Sequence, residues 1–292
     1  MIKKIARGAF HAAGGVGVAR WMRRRSLRIL MYHRFKDRES IARQCAYIRA
    51  HYTPVSLSQA AGWLRDGGWP DNALVVTVDD GYRDFYQVAY PVFREYGIPA
   101  TVYLVSEFVD GRQWLWVDRV RWSYLKSGMG LSDARTAIEA AKKLPNAQRL
   151  SWLETLPVAP PEIAPVEYAA MRWDEVREAA KGGIEFGAHT CTHPILSRVD
   201  GGELTAEIAG SKRRIEEELG RAVDHFCYPN GSVRDYSPAA VEVVRAAGFR
   251  TATTTTIGMV APGDDALQLR RIGVEPGLED RYFAECAAGL RT

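Results

Sequence analysis

The sequence predicts an α/β fold with a parallel sheet, open or closed into a barrel, on three observations. Strand-like and helix-like stretches alternate along most of the chain. His33, Asp79-Asp80, His189 and Pro229-Asn230-Gly231 each fall where an extended stretch runs out. In such folds, sites assemble at the C-terminal ends of strands. The 292 residues, 47% hydrophobic and 25% charged, are enough for one well-filled barrel.

In chain order, residues 26–32 read as the first strand and 39–50 as a helix, with Ile41, Cys45 and Ile48 at helical spacing. Residues 54–57 form a short extended piece. Ser58 is the expected cap of a helix that reaches Leu64 and is ended by Gly67-Gly68. Val75-Val76-Thr77-Val78 is rich in β-branched residues and reads as a buried strand, stopped by two adjacent carboxylates and a glycine. A helix over 84–96, containing Pro91 and ending at Gly97, leads to a strand over 99–105. After residue 165 the expected order is helix 172–180, strand 184–188, helix 202–219, strand 223–228, helix 238–247, strand 249–254, strand 271–274 and helix 278–288. No internal repeat is visible.

Residues 106–165 break this rhythm. They hold Trp114, Trp116, Trp122 and Trp152, helical patterns over 117–126 and 132–144, and then Pro157, Pro160, Pro161 and Pro165. A long insertion on a connecting loop is a usual place for substrate selection. Its tryptophans suit either stacking on sugar rings or anchoring the insertion, and burial is the more ordinary use of large aromatics.

The formal net charge of +4 is unevenly placed. Ten Lys and Arg residues precede Asp37, the first acidic residue, which leaves 29 basic against 35 acidic residues in the rest. The basic character therefore belongs to a leading segment, residues 1–25, ahead of a barrel over 26–292. No interleaving of aromatics with cations resembles a base-stacking platform, so nucleic acid is not an expected partner. The Ala/Gly/Val-rich run from Ala9 to Ala19 is too short to span a membrane, and an arginine cluster follows it where a secretory signal would have a small-residue cleavage site. A basic helix packed on the fold and a peripheral helix on an anionic cytoplasmic leaflet both fit. Cys45, Cys191, Cys227 and Cys286 form no C-x-x-C pair and read as reduced thiols of a cytoplasmic protein.

Adjacent acids repel, and neither is cheap near a core without a cation or proton between them. Asp79-Asp80-Gly81 taken alone also suits a simple turn. His189-Thr190-Cys191-Thr192-His193-Pro194 changes that reading. Pro194 biases His193 away from helical geometry, which places His189 at a strand end and His193 on the following turn. Two imidazoles and one of the two carboxylates make a zinc-like donor set with open positions, a catalytic arrangement. Cys191 is a possible fourth donor, though a small packed residue is the expectation.

Thr77-Val78-Asp79-Asp80-Gly81 resembles the T-F-D-D-G motif of the polysaccharide deacetylases, carbohydrate esterase family four, also called the NodB homology domain. His189 to Pro194 resembles that family's H-[ST]-x-x-H-P motif. Cys227-Tyr228-Pro229-Asn230-Gly231 is similar to its R-x-P-x-G motif, with Cys227 in place of the arginine. The resemblance spans about residues 27–274. It implies a distorted (β/α) barrel of about seven parallel strands and a divalent metal, zinc by expectation, held by Asp80, His189 and His193. It also implies Asp79 as general base and the backbone N–H of Asn230 as oxyanion donor.

Two departures shape the rest. No histidine follows His225, so the family's late L-x-H general acid is missing. His33, in Met31-Tyr32-His33-Arg34, resembles the M-Y-H motif of the permuted branch and is the candidate acid. Arg271 is the candidate substitute for the motif arginine that orients Asp79, with Arg270 an equal alternative. The implied function is a metal-dependent hydrolase that removes N-acetyl groups from amino sugars in a glycan or its lipid-linked precursor. Deformylation, O-deacetylation and an inert glycan-binding barrel are the rivals.

Overall fold

In the computed structural model, which describes residues 14–291, seven parallel strands close into a barrel. They run β1 (Arg28–Tyr32), β3 (Ala73–Val78), β4 (Ala100–Leu104), β5 (Glu185–Ala188), β6 (His225–Cys227), β7 (Thr251–Ile257) and β8 (Leu269–Gly273), which returns to β1. Closure comes from β1 pairing with β3 along its whole length, Arg28 opposite Leu74 through Tyr32 opposite Val78, and with β8 at Leu30 and Met31. β2 (Thr53–Pro54) adds a short edge beside the start of β3. The predicted fold class holds.

Period-two alternation sorts the strand residues between two cores. Leu30, Tyr32, Leu74, Val76, Val78, Val102, Leu104 and Phe226 belong to the large cluster beneath the surrounding helices. Ile29, Val75, Tyr103, Cys227 and Leu269 alternate with them and form a second cluster inside the barrel. The interior cluster continues into α3 (Leu57–Trp63), which plugs the N-terminal end of the strands. There Ser58 Oγ lies 2.9 Å from His225 Nε2 and Ser58 N donates to Glu185 Oε2 at 3.3 Å, a polar floor under an apolar layer.

The outer helices follow the predicted order. α2 (Arg38–His51) is capped by Asp37 and buries Ile41, Cys45 and Ile48. The α3 cap is Ser56, not Ser58: its hydroxyl accepts from Gln59 N while the Gln59 side chain accepts from Ser56 N. This reciprocal capping box needs Ser and Gln three apart, a pairing that Ser58 lacks. The expected helix over 84–96 divides into a π-turn (Phe85–Ala89) and α4 (Tyr90–Tyr96), with Pro91 in the first turn, where its missing N–H costs nothing. Beyond the insertion come α9 (Trp173–Lys181), α10 (Gly201–Leu219), α11 (Pro238–Ala246) and α12 (Asp280–Ala287).

The insertion is helical: α5 (Ser106–Val109), α6 (Trp116–Lys126), α7 (Leu131–Ala141) and α8 (Asn146–Leu153), the last unforeseen. Trp116, Val120, Ile138, Ala141 and Leu153 form its own small core, which includes Ile195 from the loop beyond His193. Trp114 and Trp116 are buried, while Trp122 and Trp152 are half-buried. Trp114 stacks on Tyr168 with ring centres 5.8 Å apart.

Of the leading segment, residues 1–13, with Lys3, Lys4 and Arg7, lie outside the described residues. α1 (Gly15–Met22) packs Val16 and Ala19 against Ala284 and Ala288. No described helix is long and apolar enough to cross a membrane. Cys45, Cys191, Cys227 and Cys286 form no disulfide, and Cys45, Cys227 and Cys286 are buried.

Candidate metal centre and its cleft

Five of the predicted site residues lie one to three positions beyond a strand, and His193 lies five beyond β5 (Glu185–Ala188). His33 follows β1, Asp79 and Asp80 follow β3, His189 follows β5 and Asn230 follows β6. Arg271 alone lies within a strand, β8, and its side chain is fully buried.

The turns carrying these side chains are unusual in one shared respect. Asp80 (φ 76°), Thr190 (φ 69°), His193 (φ 60°) and Asn230 (φ 57°) occupy the left-handed region, and only Asn72 joins them among described non-glycine residues. Such strain gathers where a backbone is held for function. Gly81 at φ 82° is required for a second reason: a Cβ there would stand 2.8 Å from Leu104 Cδ2. These turns aim Asp80, His189 and His193 at one point.

Asp80 Oδ1 stands 3.5 Å from His189 Nε2 and 3.5 Å from His193 Nε2. All three residues are buried, and their donor atoms lie within 4.8 Å of one another. Both contacts are longer than a good N–H···O bond, so the carboxylate sits between the rings without bonding well to either. His189 Nδ1–H donates to Cys227 O at 2.6 Å, which leaves Nε2 as its free ligand atom. His193 Nδ1 is buried with no partner. Two imidazole nitrogens and a carboxylate oxygen gathered without satisfying one another fit a zinc-like ion.

The same buried cluster drives the imidazoles apart. Burial, reinforced by neighbouring His189, pushes His193 down to about 3. His189 moves up against the cost of burial, through Cys227 and the Asp80 carboxylate. Burial opposes the charge on Asp80, yet the neighbouring imidazoles of His189 and His193 outweigh it and hold its carboxyl well below the usual range.

Asp79 has a different environment. Arg271 Nη1 donates to Oδ1 at 2.7 Å and Nη2 to Oδ2 at 2.8 Å, a paired fork with both side chains buried. Burial raises the Asp79 pKa, and the adjacent guanidinium more than reverses that, so the carboxyl stays below its ordinary value. Arg271 is fixed in turn by Nε donating to Thr254 O at 2.7 Å and Nη1 to Thr77 Oγ1 at 3.1 Å. Arg270, the alternative, instead pairs with Asp264 at 2.8 Å. Cys227, where the motif would carry arginine, faces the same pair: Arg271 Nη2 lies 3.1 Å from its Sγ. A guanidinium from the last strand thus occupies the place beside Asp79.

Asp79, His189 and Cys227 also approach closely enough to suggest a second donor set. Arg271 occupies both Asp79 oxygens and touches the Cys227 sulfur, so an ion there would lie against a buried cation. Asp80, His189 and His193 form the better set. Cys191 belongs to neither; its thiol turns to Ala206 O at 3.6 Å.

Sequence reasoning missed what holds the His189–His193 loop. The buried Glu207 carboxylate of α10 accepts from Cys191 N at 2.8 Å, Thr192 N at 2.9 Å and Thr192 Oγ1 at 2.6 Å. Trp116 Nε1–H donates to His193 O at 3.1 Å from the insertion side. Nothing local in sequence marks either contact.

Above the donors opens a cleft of about 640 Å³. His33, Asp79, Asp80, His189, His193, Asn230 and Thr255 form its floor, and Val117, Arg121, Leu131, Arg135, Ile138, Glu139 and Lys142 of the insertion form one wall. His33 is half-exposed, with Nε2 3.6 Å from Asp79 Oδ2.

A closed parallel barrel with a cleft at its C-terminal strand ends and titratable side chains on the cleft floor has the layout of a barrel enzyme. The model of the polysaccharide deacetylase family matches residues 66–252, and the chain belongs to this family of hydrolases acting on carbon–nitrogen bonds. It is 21% identical to YxkH of Bacillus subtilis (strain 168) over 266 residues, covering 88% of this chain and 74% of that one. It is 36% identical over 73 residues to poly-β-1,6-N-acetyl-D-glucosamine N-deacetylase of Escherichia coli (strain K12), covering 24% of this chain and 11% of that protein. The structure of IcaB from Ammonifex degensii superposes with a TM-score of 0.65 at 20% identity, covering 90% of this chain and 96% of that one.

Proposed function

We propose that this hydrolase is a divalent-metal-dependent deacetylase that removes N-acetyl groups from amino sugars of a polysaccharide. The convergence of Asp80, His189 and His193 on one point, with Asp79 held apart from them by Arg271, is the observation that carries the reading. The poly-β-1,6-N-acetyl-D-glucosamine N-deacetylase activity of the Escherichia coli relative supports the substrate class, and a cleft of about 640 Å³, lined by both the donor set and the insertion, has room for sugar units.

Asp80, His189 and His193 would hold the ion. Bound there, zinc polarises an acyl oxygen and makes a water nucleophilic near neutral pH. Asp79, ionised and fixed by its fork to Arg271, takes the proton of the attacking water. The backbone N–H of Asn230, on its left-handed turn beside the cleft, donates to the developing oxyanion; losing such a donor typically costs ~10²–10³ in rate. His33, on the cleft floor with Nε2 near Asp79, gives its proton to the departing sugar nitrogen, so the amine leaves neutral.

Acetate release from oligomers of β-1,6-linked N-acetylglucosamine, with added zinc and after chelation, tests the proposal. Zinc-restored release supports it. Zinc-independent release removes the metal, and turnover of formylated or O-acetylated sugars in place of N-acetylated ones removes the assigned substrate.

A further inference from the structure

The first described helix carries a feature that the chemistry at the strand ends does not use. α1 buries Val16 and Ala19 on the barrel and leaves Val18, Trp21 and Met22 57%, 64% and 69% exposed. These three stand at i, i+3 and i+4, so they share one face turned away from the anchored one. No other described helix exposes three large apolar side chains in one turn.

Positive charge predominates around that face, with Asp71 the carboxylate paired there. Arg20, Arg23 and Arg25 have no carboxylate partner among the described residues. Arg24 lies 4.8 Å over the Trp21 ring and 3.2 Å from Asp71. The sequence preceding α1 adds Lys3, Lys4 and Arg7 beside Ile2, Ile5 and Phe10, and no acidic residue occurs before Asp37. The rest of the chain has an excess of acidic residues, so the cations are concentrated where the apolar triad is.

An apolar face rimmed by arginines, on a helix otherwise pinned to the fold, matches a bilayer surface whose headgroups are negative and whose acyl boundary takes in Trp and Met. A protein partner would also need matching acidic residues in register; a lipid surface needs only charge and depth.

We propose that α1 is a docking face for anionic lipid headgroups and sets how the barrel sits on the membrane. The chain leaving α1 runs along the N-terminal ends of the strands. Arg24 O accepts from Asn72 N at 2.7 Å just before β3, Trp69 Nε1 donates to Arg25 O at 2.9 Å, and Arg28 at the start of β1 donates to Ala287 O at 2.9 Å. The donor set lies at the other ends of those strands, about 16 Å away for five residues. A barrel docked through α1 therefore opens its cleft away from the lipid. That orientation favours a glycan reaching in from solvent over a sugar held at the headgroups of the same leaflet.

Co-sedimentation of the full chain with phosphatidylcholine vesicles, with and without phosphatidylglycerol, tests the docking. The full chain should bind the anionic vesicles about tenfold or more above the neutral ones, with binding weakened by salt. The triple variant Val18→Ser, Trp21→Ser, Met22→Ser should lose most of that binding while its melting temperature and turnover of a soluble oligomer stay unchanged. Single Trp21→Ser, the least disruptive change, should show an intermediate loss. Equal partitioning of full chain and triple variant overturns the proposal, as does binding abolished only by replacing Lys3, Lys4 and Arg7. A chain that binds no vesicle but self-associates through Trp21 overturns it in favour of a second copy.

Discussion

Arg271 and Asp79, 192 residues apart in sequence, meet as a buried two-bond fork of 2.7 and 2.8 Å. The pair separates the roles of two adjacent acids. Asp79 is committed to a guanidinium, and Asp80 is left between two imidazoles.

Replacing Arg271 with Met should expose that division. An unpartnered buried carboxylate typically costs about 3–5 kcal/mol of stability. Asp79 is held below its ordinary value, so the pair stabilises the fold above the unfolded carboxylate value near 3.8 and is lost as pH falls through the folded value. Without Arg271, the main interaction opposing burial is gone and the Asp79 pKa rises. The acid limb of kcat/KM should then move to higher pH, read from a pH–rate profile. A limb that stays in place would take the base role from Asp79.

Trp116 reaches from the insertion to the carbonyl of His193, a residue held at φ 60°. Trp116→Phe keeps the ring and removes the N–H. One hydrogen bond is worth about 1 kcal/mol, so zinc affinity should fall about fivefold in chelator competition. The metal-free melting temperature should barely change. An unchanged zinc affinity would make the contact purely structural.

His33→Ala should lower turnover of N-acetyl sugars by ~10²–10⁴, the usual contribution of a general acid. An aryl acetate, whose leaving group departs without a proton, should lose far less. Equal losses on both substrates would place the acid elsewhere.

At the barrel floor, His225 lies 2.8 Å from Thr251 Oγ1 and 2.9 Å from Ser58 Oγ. Burial is the main cause of its lowered pKa, partly offset by Glu185. A base with a depressed folded value gives stability that is fully present above its unfolded value near 6.5 and lost as pH falls through the folded value. The melting temperature of wild type should therefore fall more than that of His225→Gln as pH drops below about 6.5. Parallel curves would refute this.

Much of the fold was legible in the sequence because strand ends coincide with chemical residues. Asp79, Asp80 and His189 each follow a β-branched or apolar run, and Pro194 keeps His193 out of a helix. What escaped detection is long-range. The choice of Arg271 over Arg270 depends on which face of β8 points inward, a matter of register that two neighbouring arginines cannot reveal. Glu207 and Trp116 grip the histidine loop from elements 15 and 77 residues away, with no local spacing to mark them. α8 follows Pro145 without a side-chain cap, which hid its start. Ser58 drew the cap assignment from Ser56 because both precede the same apolar turn.

Diffraction at the zinc edge from crystals grown with zinc tests the central claim most directly. A single ion should appear within about 2.0–2.2 Å of an Asp80 oxygen and of Nε2 on both His189 and His193, with Asp79 still forked to Arg271. An ion bound instead among Asp79, His189 and Cys227, or no ordered ion at all, would contradict the account.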